Sequence, residues 1–300
     1  MITFLLPISS VFVVKNAGIS NLFCCKKGLL MVKERCVMDK RRKKIFLFLT
    51  LIVLLGIFPY YKIISAGLKG NGLYVFLLMW VPAISAITVK LLFDKNVKNL
   101  GWKLGEGKYV VISYGIPLVS AILVYSIVWK TGIGGIDFSK ISIVNILSIA
   151  TIGVVASGVS AIGEEIGWRG FLVLELFKKF SYTKTAIITG VIWNIYHYPP
   201  LLFSDYNNGI SVLSSFIFFT ISIFSITFIA TWLRMKSGSM WTGIIIHASH
   251  NCFIQGLFDP ITIDKQHTKL FTTEFGIGLA TVYTIIAFYF WKRRDELSSA

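Results

Sequence analysis

Two adjacent glutamates and an arginine, Glu164, Glu165 and Arg169, stand in GEEIGWRG (163–170) inside an apolar stretch. A charge at mid-membrane depth costs roughly 2.5–3.5 kcal/mol on insertion scales, so it persists where it meets a partner or a cavity. Arg169 follows Glu165 by four residues, shares its helix face and can pair with it. Glu164 lies about 100° around the helix from Glu165, with Trp168 as its i+4 neighbour and no local cation. Two readings follow. All three charges form a buried network that fastens helices, or Glu165–Arg169 is the fastener and Glu164 is a free carboxylate facing a wet cavity, placed for general-base work.

Histidine placement favours the second reading. Three of the four histidines fall within apolar stretches: His197 in VIWNIYHYPP, and His247 and His250 in GIIIHASHNCF. A lone buried histidine is most often a packed, satisfied side chain. His247 and Asn251, however, are four apart on one helix face, and His250 is close to that face but offset. Counted from the basic residue that closes each stretch, Glu164 is 14 residues from Lys178, His197 is 13 from Lys184, and His247 and Asn251 are 11 and 15 from Lys236. At ~1.5 Å per residue these groups share a layer roughly 16–23 Å deep. A carboxylate, two imidazoles and an amide converging from three segments is a constellation for hydrolysis.

The elements that must carry these groups follow from composition. The chain of 300 residues is 55% hydrophobic and 15% charged, with a mean hydropathy of +0.73. The apolar residues come in long runs, which predicts an all-α polytopic transmembrane bundle. About eight spans are expected, near 45–64, 72–93, 108–129, 142–177, 184–204, 211–234, 239–257 and 274–291. The fourth is too long for a simple crossing and is expected to extend into the cytosol or contain a break. Of the 14 acidic residues, Glu164 and Glu165 alone are read as lying deep inside a span. Gly153, Ser157, Ser160, Gly163, Gly167 and Gly170 give the fourth span a small-residue face that lets helices approach closely. Pro199 and Pro200 are expected to end or kink the fifth helix just past His197.

Charge sets orientation. DKRRKK (39–44), Lys95, Lys98, Lys103 and Lys108, Lys178, Lys179 and Lys184, Arg234 and Lys236, and WKRRDE (291–296) all fall on one side of an eight-span chain. The positive-inside rule places that side, with both termini, in the cytoplasm. The net charge of +16 is thus explained by flanking residues, and nucleic-acid binding is not expected. Cys24, Cys25, Cys36 and Cys252 show no CxxC spacing. Residues 1–37 read as an N-terminal extension, untranslated or disordered, with Met38 as the expected start. Residues 38–141 carry spans 1–3, 142–257 the catalytic core, and 258–300 the last span and tail.

The ordered motifs Glu164-Glu165-Ile-Gly-Trp-Arg169, Trp193-Asn-Ile-Tyr-His197 and His247-Ala-Ser-His-Asn251 resemble those of the CAAX prenyl protease type 2 family, the CPBP or Abi intramembrane proteases. The likeness covers about 142–257, and Trp193 stands where the family usually has Phe. The resemblance implies that Glu164 and His197 activate a water, that His247 and Asn251 hold the oxyanion, and that Glu165 and Arg169 are structural. His250 is outside the family pattern and is left to packing. Family members are commonly labelled metalloproteases. Two histidines and a glutamate are a known catalytic zinc set, so zinc held by Glu164, His197 and His247 and a metal-free, glutamate-activated water stay open as alternatives.

The resemblance further implies an endopeptidase of the plasma membrane, in contact with lipid, that cleaves a membrane-associated or lipidated CAAX-type substrate or serves bacteriocin self-immunity. A composition rich in Lys, Ile and Phe suggests a bacterial gene, where a prenylated substrate is not expected. Two other classes compete. A proton-coupled transporter or channel would use Glu164 and His197 as a relay and often shows an internal repeat, which is absent from the sequence. A catalytically idle immunity or binding protein would lose motif residues, which are all present.

Overall fold

The computed structural model describes residues 19–68 and 71–297, with side chains from residue 38 onward. The expectations for residues 1–18, and for the side chains of Cys24, Cys25 and Cys36, lie outside the described residues. The chain divides into two compact units, residues 1–44 and 45–300. In the first, Asp39 and Lys43 pair at 2.7 Å, one helical turn apart.

The helices in chain order are α1 (Ile19–Ala66), α2 (Gly72–Asp94), α3 (Gly107–Lys130), α4 (Ile143–Phe177), α5 (Tyr182–Phe203), α6 (Val212–Ser237), α7 (Trp241–His250, continued as a π-helix over Asn251–Phe258) and α8 (Ile277–Lys292). Helices therefore stand where the eight apolar segments were expected, in an all-α membrane bundle. Among the described residues, five helices, Met38–Ala66, α2, α3, α4 and α6, are long and apolar enough to cross a membrane by length and composition. Among the others, α5 is diluted by Thr185, Thr189, Asn194 and His197, α7 by its histidines, and α8 has 16 residues. Val111, Val119, Ile152, Val155 and Ile285 are exposed, as expected of side chains turned to lipid tails.

α7 is central and packs against α3, α4 and α6, while α2 lies on α4, and α6 sits between α5 and α8. At one end of the bundle, the Met240 amide donates to the Gly101 carbonyl (2.9 Å), Lys236 meets Glu296 (3.6 Å) and the Trp291 indole donates to Thr183 (3.2 Å). At the other, Gly135–Ile136 pairs antiparallel with Thr262–Ile263, and the Leu68 amide donates to Asp205 (2.7 Å). Successive connections thus alternate between ends, and those expected to be cytoplasmic gather together.

The sequence explains local boundaries. Ser181 and Ser211 cap α5 and α6, each accepting the amide three residues on. Gly238, with φ +69°, takes the left-handed position that closes α6. Close approach of α4 to α2 needs glycine: a Cβ at Gly163 would sit 2.6 Å from the Met79 carbonyl oxygen, and one at Gly167 2.4 Å from Pro82 Cβ.

Three details refine the expected elements. Of the extension or break expected for α4, the break is not found: the helix runs continuously, with π-helical stretches at Ile149–Gly153 and Ile166–Leu172. Of the end or kink expected at Pro199–Pro200, the end is not found: α5 continues to Phe203. Pro200 has no N–H to offer the Tyr196 carbonyl one turn back, and the Tyr60 hydroxyl from α1 donates to that carbonyl instead (2.5 Å). Finally, besides Glu164 and Glu165, Glu175 near the end of α4 and Glu274 in the loop before α8 are buried.

Candidate active site

Glu164 and Glu165 close the α-helical part of α4, where it passes into the π-helical stretch that carries Trp168 and Arg169. Single-turn π insertions widen a helix and recur at functional sites. Both glutamates are buried, at 3% and 1% exposure, and Arg169 is wholly buried. Glu165 Oε1 accepts from Arg169 Nη1 at 2.8 Å, so the expected i+4 pair forms. Glu164 does not join it. Its Oε2 accepts from the indole N–H groups of Trp168 (3.0 Å) and Trp193 (2.6 Å). An indole nitrogen only donates, so both bonds suit a carboxylate, and Oε1 is left for another partner.

Trp193 does more than its place in the sequence pattern suggests. Its N–H donates to Glu164, and its carbonyl accepts from His197 Nδ1 (2.8 Å). The Arg169 guanidinium lies 4.0 Å from its ring centre, a cation–π contact. The rings of His197 and His247 each stand 5.7 Å from it. A phenyl ring at this position would keep the stacking and lose the bond to Glu164.

The two histidines are oriented alike. A carbonyl can only accept, so the proton of His197 is on Nδ1 and Nε2 keeps the lone pair. His247 Nδ1 meets Glu165 Oε1 at 3.1 Å, so this ring also donates from Nδ1 to the carboxylate. Glu165 therefore serves two partners, Arg169 and His247; sequence spacing revealed the first, and the tertiary approach of α7 to α4 supplies the second. That approach depends on Gly243, where a Cβ would lie 2.5 Å from Glu165 Oε2.

Glu164, His197, His247 and Asn251 all line one cavity of about 200 Å³. Trp193, His250 and apolar residues of α1, α2 and α6, among them Ile63, Leu78, Phe219 and Ile223, complete part of its wall. His250 bonds Tyr283 through Nδ1 (2.8 Å). Sequence reasoning missed Tyr206, Gln255 and Glu274, which also line the cavity. The one available signal was an acidic residue, Glu274, at the very start of the last expected span.

Among the described residues, no three His, Cys, Asp or Glu side chains come together as a metal-ligand set. Nδ1 of both histidines and Oε2 of Glu164 are bonded, while Nε2 of each ring and Oε1 of Glu164 stay open. Pinning through Nδ1 is also how a metal-bound imidazole is held, but the three-ligand zinc set that the residue types allow is not assembled in this arrangement. The site can offer a carboxylate and an imidazole lone pair to a water, with a second imidazole and an amide beside them.

Residues 145–253 match a family model described as type II CAAX prenyl endopeptidase Rce1-like. Over 115 residues the chain is 30% identical to the CAAX prenyl protease 2 of Methanococcus maripaludis, a stretch covering 37% of this chain and 40% of that protein. The matched region spans α4 to the start of the π-helical part of α7 and contains every motif residue named above.

Proposed function

We propose, from the match of residues 145–253 to the type II CAAX prenyl endopeptidase Rce1-like family model, that this protein hydrolyses a peptide bond of a membrane-associated substrate inside the bundle. The observation that carries the reading is the shared cavity of Glu164, His197, His247 and Asn251, with both histidine rings pinned through Nδ1.

A water sits between Glu164 Oε1 and His197 Nε2. Glu164 removes one proton as the water oxygen attacks the scissile carbonyl carbon, and His197 aims the attack. The oxyanion that forms is held by Asn251 and by His247, whose protonated ring donates from Nε2 while Glu165 supplies the counter-charge. The C–N bond then breaks, and the proton on Glu164 passes to the leaving amine. Trp168 and Trp193 keep Glu164 in place throughout, and Arg169 holds Glu165. The bonds of Glu164 to Trp168 and Trp193, and of Glu165 to Arg169 and His247, are in place before substrate arrives, which supports a reaction with little reorganisation of these groups.

The substrate class is a peptide carried in the membrane by a lipid or an apolar segment, which suits the apolar walls of the cavity. On this reading the protein works in the plasma membrane with both ends cytoplasmic; the lysine and arginine distribution supports the orientation. The test is cleavage of an acyl-anchored peptide library by the full chain in lipid nanodiscs, in water labelled with heavy oxygen. One labelled oxygen in the new carboxyl terminus, with a rate that a metal chelator leaves unchanged, is the expected result. Absence of cleavage would overturn the hydrolase reading; loss of cleavage on chelation, restored by zinc, would overturn the metal-free mechanism.

A further inference from the structure

The cavity holds a second carboxylate that the proposed hydrolysis does not use. Glu274 is buried at 8% exposure and comes from the loop before α8. Its Oε2 accepts from the Tyr206 hydroxyl at 3.1 Å, and its Oε1 from the Gln255 amide at 3.0 Å. Both donors are neutral. The nearest basic group is His250 Nε2 at 4.0 Å, and the other nitrogen of that ring is bonded to Tyr283. Among the described residues, no lysine or arginine lines the cavity, whereas Glu164 and Glu274 both do. A buried carboxylate without a counter-cation is costly, and two in one chamber raise the cost.

We propose that Glu274 is a recognition subsite for a cationic group of the substrate, a lysine ammonium or an arginine guanidinium, bound beside the catalytic groups. The proposal rests on the hydrolase reading for its setting. Tyr206 and Gln255 fix the carboxylate in one orientation, one donor on each oxygen, and leave its remaining lone pairs for the incoming cation. A substrate cation there supplies the charge that the cavity lacks. The same carboxylate disfavours an anionic group, such as a free C-terminal carboxylate, at that position, so selectivity comes from repulsion as well as attraction.

The groups facing Glu274 are Tyr206 from the loop after α5, His247, His250 and Gln255 from α7 and its extension, Asp259 just beyond it, and Tyr283 from α8. Burial pushes the Glu274 carboxyl up to about 7. Cation recognition therefore strengthens as pH rises through that value and the carboxyl ionises.

The experiment uses the full chain carrying Glu164→Gln in nanodiscs, so that peptides bind without being cut. The probes are acyl-anchored fluorescent peptides in which a single lysine is scanned through the sequence, each matched by a norleucine peptide. At one position lysine is expected to bind about tenfold more tightly than norleucine, the scale of a hydrogen bond to a charged group. Adding Glu274→Gln removes that preference. No lysine-preferring position, or a preference that survives Glu274→Gln, overturns the proposal. Should Glu274→Gln fail to fold, the protein with Glu274 intact still decides it. The lysine-to-norleucine ratio must rise from about one unit below pH 7 to about one unit above, and a flat ratio overturns the subsite. Because binding is read without turnover, a missing preference and a missing hydrolysis are separate results.

Discussion

Glu165 and Trp193 decide, at the scale of single residues, whether the central carboxylate and imidazoles can work. Glu165→Gln keeps the shape and removes the counter-charge of His247. Its expected effect is a fall in kcat of about a hundredfold, the scale of losing one oxyanion donor, with KM little changed; steady-state kinetics on the best library peptide checks it, and an unchanged kcat would count against His247 as a donor. The acid pair and its i+4 arginine were legible from spacing alone, because a helix imposes that geometry. The bond of Glu165 to His247 was not, since it joins residues 82 apart. Nor was Glu274: an acidic residue at the edge of an apolar run looks like an ordinary helix end, and the loop that folds it inward has no sequence period.

At the scale of elements, the site exists because α4 lies flush on α2 while α7 approaches α4. Gly167→Ala would drive a Cβ into Pro82, at 2.4 Å from its Cβ and 2.9 Å from its backbone carbonyl. A loss of about 1–3 kcal/mol is expected from such overpacking, seen as a lower melting temperature in nanodiscs. Gly158→Ala, on the same helix with nothing within 4 Å of the added carbon, serves as the control and should melt no lower. The small-residue face of α4 was readable in the sequence. The π-helical stretches were not, because a local widening depends on which neighbours press on the helix. The continuation of α5 through two prolines was likewise hidden, since the Tyr60 hydroxyl that takes up the freed carbonyl comes from 136 residues away.

At the scale of the whole molecule, hydropathy and basic flanks were enough to place the helical segments and the alternation of their connections. They were not enough to say that α5, α7 and α8 are shorter or more polar than the five helices that meet the length and hydropathy of a span. Those same elements carry His197, His247, Asn251 and the loop with Glu274, so the price of a polar chamber is read directly in their composition. The gathering of the basic connections at one end predicts that a C-terminal reporter active only in the cytoplasm will be active on this chain. An inactive reporter there, together with an active one after Lys140, would reverse the orientation.

The central claim is that Glu164 activates the attacking water. The most direct measurement compares cleavage of an acyl-anchored peptide by the unmodified chain, by Glu164→Gln and by Gly158→Ala, all in nanodiscs. Removal of the general base is expected to lower kcat by about a hundredfold or more, while Gly158→Ala, on the same helix with nothing within 4 Å of the added carbon, leaves kcat near its original value. Cleavage that survives Glu164→Gln at full rate would contradict the account.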